Sequence, residues 1–318
     1  MPLTTDEKLL TLSRDVIEGF DKAAGGVHPG FRPGHAKGIL LTGVFAPSSD
    51  AASLTRASHI QRKSTPVIVR LSDFAGVPTV PDNDPQAASP RGCAIRFNLA
   101  EHVHTDIVSH SVDSFPARTA EGFLDFLNAL LSTDPAGPHP NAIEQFLGAH
   151  PKALAFVQIP KPIPTSFAKE SFFAVSAFKF TNADGVSRYG RYRVLPEAGN
   201  EYLDEAGAAA KTPNFLFDEL KKRIAKEPVK FRIVVQLAKD GDVVDDATVR
   251  WPEDRPQLTF GEIVLTAIAQ NDASEQQHII FDPIPRVDGI EASADPLFEP
   301  RANIYLMSGR RRRATGTQ

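Results

Sequence analysis

Short runs rich in β-branched and aromatic residues, cut apart by turn clusters, recur along most of this chain and point to a fold built on a sheet. Residues 38–45, 67–72, 92–99 and 105–111 read as strands, as do 172–182, 187–196, 229–237, 246–251 and 261–269. Clusters such as Pro81-Asp82-Asn83-Asp84-Pro85 separate them, and Asn182-Ala183-Asp184-Gly185 predicts a hairpin between 172–182 and 187–196. Helical spacing appears between the strands. Residues 5–25 repeat Leu9, Leu10, Leu12, Val16, Ile17 and Phe20 at helical intervals and stop at Gly25-Gly26. Thr119 caps a helix whose Phe123, Phe126, Leu127, Leu130 and Leu131 form one apolar stripe. Residues 141–149, 152–158 and 203–225 also read as helical, the last broken at Thr212-Pro213. About eight strands with inserted helices predict an α+β fold around an antiparallel barrel. No internal repeat or low-complexity linker interrupts it, so residues 1–318 are expected to form a single domain with its barrel core at about 30–300.

Charge and composition exclude several function classes. A net charge of −4 and a pI near 6.1 argue against a general nucleic-acid binder. A 34.5 kDa chain can bury a large core and one bulky cofactor as well. The one cysteine, Cys93, excludes an internal disulfide, fits a reducing compartment and reads as a packed core residue. His102 and His104 lack a third ligand and read as surface histidines. The first residues show no signal-peptide pattern, and no run approaches the ~18 apolar residues a membrane span needs. The expectation is a soluble, cytoplasmic protein without a nucleic-acid or membrane partner, either monomeric or homodimeric.

Two segments carry chemistry. On a helix, Arg301 and Tyr305 are i and i+4 on one face, and Arg312 returns to it seven residues on. Tyrosine ionises only near pH ~10, and a guanidinium one turn away favours the phenolate. Taken alone, so short a pattern recurs by chance and favours a buried tyrosine in a basic, solvated C-terminus. His35 can hold and release a proton near neutrality, because a free imidazole has a pKa of about 6.5. Taken alone, His35 reads rather as a loop histidine with no chemistry.

The segment 301–312 resembles the proximal haem segment of the haem catalase superfamily, and Arg32-Pro33-Gly34-His35-Ala36-Lys37-Gly38 resembles its distal histidine segment. Val69-Arg70-Leu71-Ser72, Pro90-Arg91-Gly92-Cys93-Ala94-Ile95-Arg96-Phe97, Trp251-Pro252, Gly261-Glu262-Ile263-Val264-Leu265, Phe281-Asp282-Pro283 and Gly289-Ile290-Glu291 follow in the family's order. The likeness spans about residues 20–314, and the chain is similar to the short, catalase-related peroxidase branch. It implies an eight-stranded antiparallel barrel of catalase type, with b-type haem between barrel and helices. Tyr305 would ligate iron from a proximal haem helix at about 298–313, with Arg301 beside it. Arg32, Arg70 and Arg312 would meet the haem propionates, and Arg310–Arg313 would otherwise be a solvated tail. His35 would move the proton during O–O cleavage, with Ser72 hydrogen-bonded to it. Phe123 would stack near the distal face, although periodicity alone makes it helix core.

The departures matter as much. Matching Asp106-Ile107-Val108-Ser109-His110-Ser111 to the family's D-L-V-G-N-N puts His110 at the distal asparagine, with Ser111 next to it. Asn303 replaces a phenylalanine and Met307 an aspartate. The chain stops thirteen residues after Tyr305, short of the C-terminal regions of long catalases, so NADPH binding is not expected. Loss of the amide donor favours oxidation of an external donor over dismutation. The expectation is a haem peroxidase acting on hydrogen peroxide or organic hydroperoxides, with an unknown reducing donor and little catalase activity. Rival expectations are rearrangement of fatty-acid hydroperoxides, as in the allene oxide synthase branch, and haem sensing without turnover.

Overall fold

The computed structural model describes residues 3–315. Its strands are β1 Gly38–Pro47, β2 Thr65–Ser72, β3 Gly92–Ala100, β4 Val103–His110, β5 Phe172–Phe173, β6 Phe178–Thr181, β7 Ser187–Pro196, β8 Val229–Leu237, β9 Gln257–Ile268 and β10 Ile290–Ala292. Its helices are α1 Glu7–Ala23, α2 Ala51–Leu54, α3 Ala120–Leu131, α4 Ala142–Ala149, α5 Pro151–Gln158, α6 Glu205–Ala209, α7 Phe215–Ile224, α8 Asp272–His278 and α9 Phe298–Thr315. Every strand pairing is antiparallel. The ring β1-β2-β3-β4-β5-β7-β8-β9 closes when β9 returns to β1, which gives the expected eight-stranded barrel. β6 lies along β7 beyond β5, and β10 extends that edge.

The interior is filled by one apolar cluster that includes Leu41, Phe45, Leu71, Ile95, Phe97, Phe180, Phe231, Ile233 and Phe260. Phe45 meets Phe97 edge-on at 5.0 Å. Burying a side chain of this size stabilises the fold by about 1.5–3 kcal/mol.

Two expected strands differ. Residues 172–182 split into β5 and β6. From Phe173↔Arg193 to Phe178↔Gly190, five steps on one strand oppose three on β7, so two extra residues bulge out. The bulge turns Val175 out to pack with Leu297, just ahead of α9. Residues 246–251 form no strand, because side chains take over their backbone groups. Asp246 accepts from Thr248 N at 2.9 Å, and the Arg191 guanidinium donates to the carbonyls of Val249 (2.7 Å) and Asp246 (3.2 Å). Arg191 also lies 4.4 Å from the Trp251 ring centre.

At the chain's ends, Asp6 caps α1 by accepting from Lys8 N and Leu9 N. Arg311 clamps α9 to α1 through both carboxylate oxygens of Asp21, at 2.5 and 2.9 Å. Among the described residues no helix is long and apolar enough to cross a membrane.

Candidate active site

Strand register creates the space for a ligand. Ser72 pairs with Gly92 and Gly92 with His110, while Arg70 pairs with Ala94 and Ala94 with Val108. Residues directly opposite share a face, so these two rows lie together on the outside of the barrel, with Leu71, Cys93 and Ile95 turned inward. Small residues at the centre of both rows leave the wall hollow. α1 packs on α3 and α9 over that side, enclosing a cavity of about 1100 Å³. All nine residues nominated from sequence line it: Arg32, His35, Arg70, Ser72, His110, Phe123, Arg301, Tyr305 and Arg312.

His35 is held in a demanding backbone conformation, with φ at 56°. Such a residue costs about 1–3 kcal/mol and persists only where neighbours fix it. Its N–H donates to Phe74 O at 2.6 Å, and its carbonyl accepts from the Arg70 guanidinium at 2.8 Å. The ring's Nδ1 is 3.1 Å from Ser72 Oγ, and Phe74 stands edge-on to it at 5.4 Å. Burial first, then the charge of Arg70, pushes His35 down to about 3; a hydrogen bond with the Asp73 backbone opposes this. The imidazole is therefore neutral at any ordinary pH.

Arg32, Arg70 and Arg312 converge at one edge of the cavity. Arg32 donates to the carbonyls of Gln276 (3.1 Å) and Ile279 (3.0 Å). Arg70 donates to Gln276 Oε1 at 2.9 Å, and Arg312 to Ser308 Oγ (2.8 Å) and Ile279 O (2.9 Å). Among the described residues no carboxylate lies within 4.0 Å of any of the three, and Arg312 Nε has no partner. Burial, then the Arg312 charge, pushes Arg70 down to about 9; burial, then Arg313 and Arg311, pushes Arg312 down to about 10. Arg32 is lowered by burial and then by both neighbours. Arg70 and Arg312 are buried and Arg32 half-buried, and Asp272 offsets the charges of Arg32 and Arg70 only from beyond 4.0 Å, which fits a ligand that brings its own carboxylates, as haem does.

On the other wall, α9 presents Tyr305. Arg301 Nε donates to its hydroxyl at 3.3 Å, one turn back along the helix. A phenol oxygen receiving a guanidinium hydrogen bond in a largely apolar cavity suits a hard trivalent iron, so the residues present fit haem. Asn303 takes no part in this wall, being buried, donating to Glu299 O and accepting from Thr4 N.

His110 lines the cavity next to Gly92. Val112 N–H donates to its Nδ1 at 3.3 Å, while Nε2 is shut from solvent and has no partner. Burial, then the Arg301 charge, pushes it down to about 3. Ser111 is engaged elsewhere, its hydroxyl accepting from Arg91 N at 2.9 Å. Phe123 packs with Phe20 (5.8 Å) and Phe115 (5.1 Å) as one aromatic wall.

Sequence reasoning missed four contributors. Gly92 lies within a recognised stretch but matches no pattern as a ligand-facing group, and Phe74 and Phe115 fall outside every segment singled out. Gln276, which braces Arg70 and also donates to Gly38 O at 2.9 Å, sits on α8 with no local signal. His102 is exposed and His104 bonds Asp106 at 3.0 Å; no group of three or more His, Cys, Asp or Glu among the described residues could hold a metal ion. Burial pushes the Cys93 thiol up to about 12, which makes it unreactive.

A family model described as Catalase matches residues 30–318. The chain is 33% identical over 313 residues to the Catalase-related peroxidase of Mycolicibacterium paratuberculosis, covering 96% of this chain and 94% of that protein. It is 32% identical over 287 residues to the Catalase-related peroxidase of Synechococcus elongatus, covering 89% and 84%. Catalase A from Saccharomyces cerevisiae superposes with a TM-score of 0.78 at 22% identity, over 98% of this chain and 65% of that one, a likeness of fold.

Proposed function

The chain belongs to the catalase family, and from that membership we propose that residues 1–318 form one haem-dependent peroxidase domain. It is an oxidoreductase acting on peroxide, like the relatives named Catalase-related peroxidase that it matches along most of their length. One observation carries the haem reading: three guanidiniums, two of them buried and none with a carboxylate within 4.0 Å among the described residues, rim a cavity that has Tyr305 on one wall and His35 on another. Haem b, when bound, supplies the redox chemistry of its iron. Tyr305 would hold that iron, with Arg301 favouring the phenolate. Arg32, Arg70 and Arg312 would pair with the propionates, and Phe123 would help exclude water.

The proton work falls to His35. With Nδ1–H donating to Ser72 Oγ, the Nε2 lone pair is free to accept a proton from one peroxide oxygen and return it to the departing one. Hydrogen peroxide or an organic hydroperoxide is the oxidant, and an external reductant supplies the electrons. The likeness to relatives named Catalase-related peroxidase, rather than the residue at 110 alone, supports weak catalase activity. A reducing cytoplasm and a monomeric or homodimeric state complete the reading. Rearrangement of a lipid hydroperoxide is a second reading, favoured by the apolar wall of Phe126, Leu127, Leu130, Phe156 and Val157.

Absorption spectra of the haem-loaded protein and Tyr305→Phe test the ligand. Peroxide consumption that requires an added one-electron donor and releases little oxygen is the expected result. Vigorous oxygen release would overturn the preference for peroxidase over catalase. Consumption of a lipid hydroperoxide without any reductant would favour rearrangement.

A further inference from the structure

His35 and His110 are the two imidazoles of the cavity, both neutral and not interchangeable. They flank Gly92 on the same outer face, and a Cβ at Gly92 would fall 2.8 Å from His35 Nδ1. Their Nδ1 atoms meet different partners: that of His35 faces the Ser72 hydroxyl, which can donate or accept, and that of His110 faces a backbone N–H. Nδ1 of His110 accepts from a backbone N–H, which cannot do anything but donate, so the ring's proton must sit on Nε2. That Nε2–H is shut from solvent and unpaired. Leaving a buried donor unmade costs about 1–3 kcal/mol, which an incoming acceptor can recover.

We propose that His110 is a dedicated hydrogen-bond donor of the site: its Nε2–H, locked by Val112, holds one oxygen of the hydroperoxide while His35 takes the proton. The assignment rests on the peroxidase reading and gives the two rings separate roles, acceptor at His35 and donor at His110. A bound peroxide HO–OH offers the matching pair, an acidic hydrogen and an oxygen lone pair. No group is consumed, since the proton taken at His35 is returned and the His110 proton stays where it is. The site thus keeps a neutral N–H at this position in place of an amide.

The first test needs no haem. Long-range ¹⁵N–¹H spectra of the haem-free protein, with His110→Gln to assign the ring, should show Nε2 protonated and Nδ1 accepting at pH 7. A ring protonated on Nδ1 would falsify the proposal. The second compares haem-loaded variants that keep the Tyr305-dependent spectrum. His110→Phe should lower the second-order rate with hydrogen peroxide by about tenfold or more, and His110→Gln, whose amide reaches nearly the same point, should restore most of it. The turnover rate limited by the reductant should move little, which separates positioning of peroxide from general damage. A reactive wild type matched by His110→Phe overturns this role alone. A wild type that binds haem and ignores every hydroperoxide overturns the peroxidase reading and this role with it.

Discussion

The side chain of Arg301 reaches forward one turn of α9 and donates to the hydroxyl of Tyr305 at 3.3 Å, with its charge 5.8 Å from the ring centre. The contact ties a cation to the oxygen that would carry negative charge. A hydrogen bond to a charged group is worth about 1.5–3 kcal/mol. Arg301→Leu should therefore weaken haem affinity by about tenfold or more, measured by haem transfer to a competing globin, with Arg301→Lys in between. Unchanged affinity in Arg301→Leu would detach Arg301 from the phenolate.

Arg312 should act on the ligand more than on the fold. It is buried beside Arg32 and Arg70, and its own Nε is unpaired. Arg312→Gln should cost several-fold or more in haem affinity, by loss of a charge-assisted pair. The same change should move the urea midpoint of the haem-free protein little, because it also removes repulsion. A variant that unfolds readily and still binds haem tightly would reverse that assignment.

Gly92 is expected to tolerate no side chain. A Cβ there would stand 2.6 Å from Ser72 Oγ and 2.8 Å from His35 Nδ1. Gly92→Ala should displace the imidazole and slow the peroxide reaction by about a hundredfold, the scale of a lost general base, with haem still bound. Stopped-flow mixing at 25 °C reads it directly. A variant as fast as wild type would mean that His35 is mobile.

Acid should inhibit late. His35 works as a base only when unprotonated, and burial with the Arg70 charge lowers its pKa to about 3. The rate with peroxide should stay level from pH 8 down to about 4 and fall toward 3, measured by pH jump to outrun unfolding. An acid limb near the free imidazole value of ~6.5 would show a hydrated, solvent-screened ring.

Stability should respond at higher pH than activity does. His59 is buried among Phe97 (4.9 Å), Phe260 and Phe45 with Nδ1 unpaired, and burial, then Arg62, pushes it down to about 4. The unfolded chain takes up its proton near pH ~6.5 and the folded chain only near 4, so stability drops as pH falls through that window. His35 and His110 act in the same direction. His59→Leu should flatten the decline in urea midpoint between pH 7 and 4. An equally steep decline would place the acid sensitivity elsewhere.

Local periodicity made some parts of the molecule readable. The strand at 229–237 matches β8 end to end, and the Arg301–Tyr305 relation follows from helix geometry alone. Residues 246–251 misled because their β-branched composition says nothing of Arg191, 55 residues away, which takes their carbonyls. Likewise the split at Phe173 depends on how many residues β7 offers in return. The distal asparagine's replacement was visible as a missing amide. That a histidine there retains an N–H was not, because its tautomer is decided by the backbone at Val112. Gln276 stayed invisible for a similar reason: its value lies in reaching Arg70 across more than 200 residues of chain.

The pairing Ser72–Gly92–His110 has a consequence for how the protein can fail. Side chains alternate faces along a strand, so slipping β3 by one position would send Gly92 and Ala94 inward and thrust Cys93 and Ile95 into the hollow. A misregistered molecule could keep its secondary structure and still have no room beside its distal histidine. Haem uptake by freshly folded chains is then a stringent assay of correct strand alignment, and it discards near-native imposters that circular dichroism would pass.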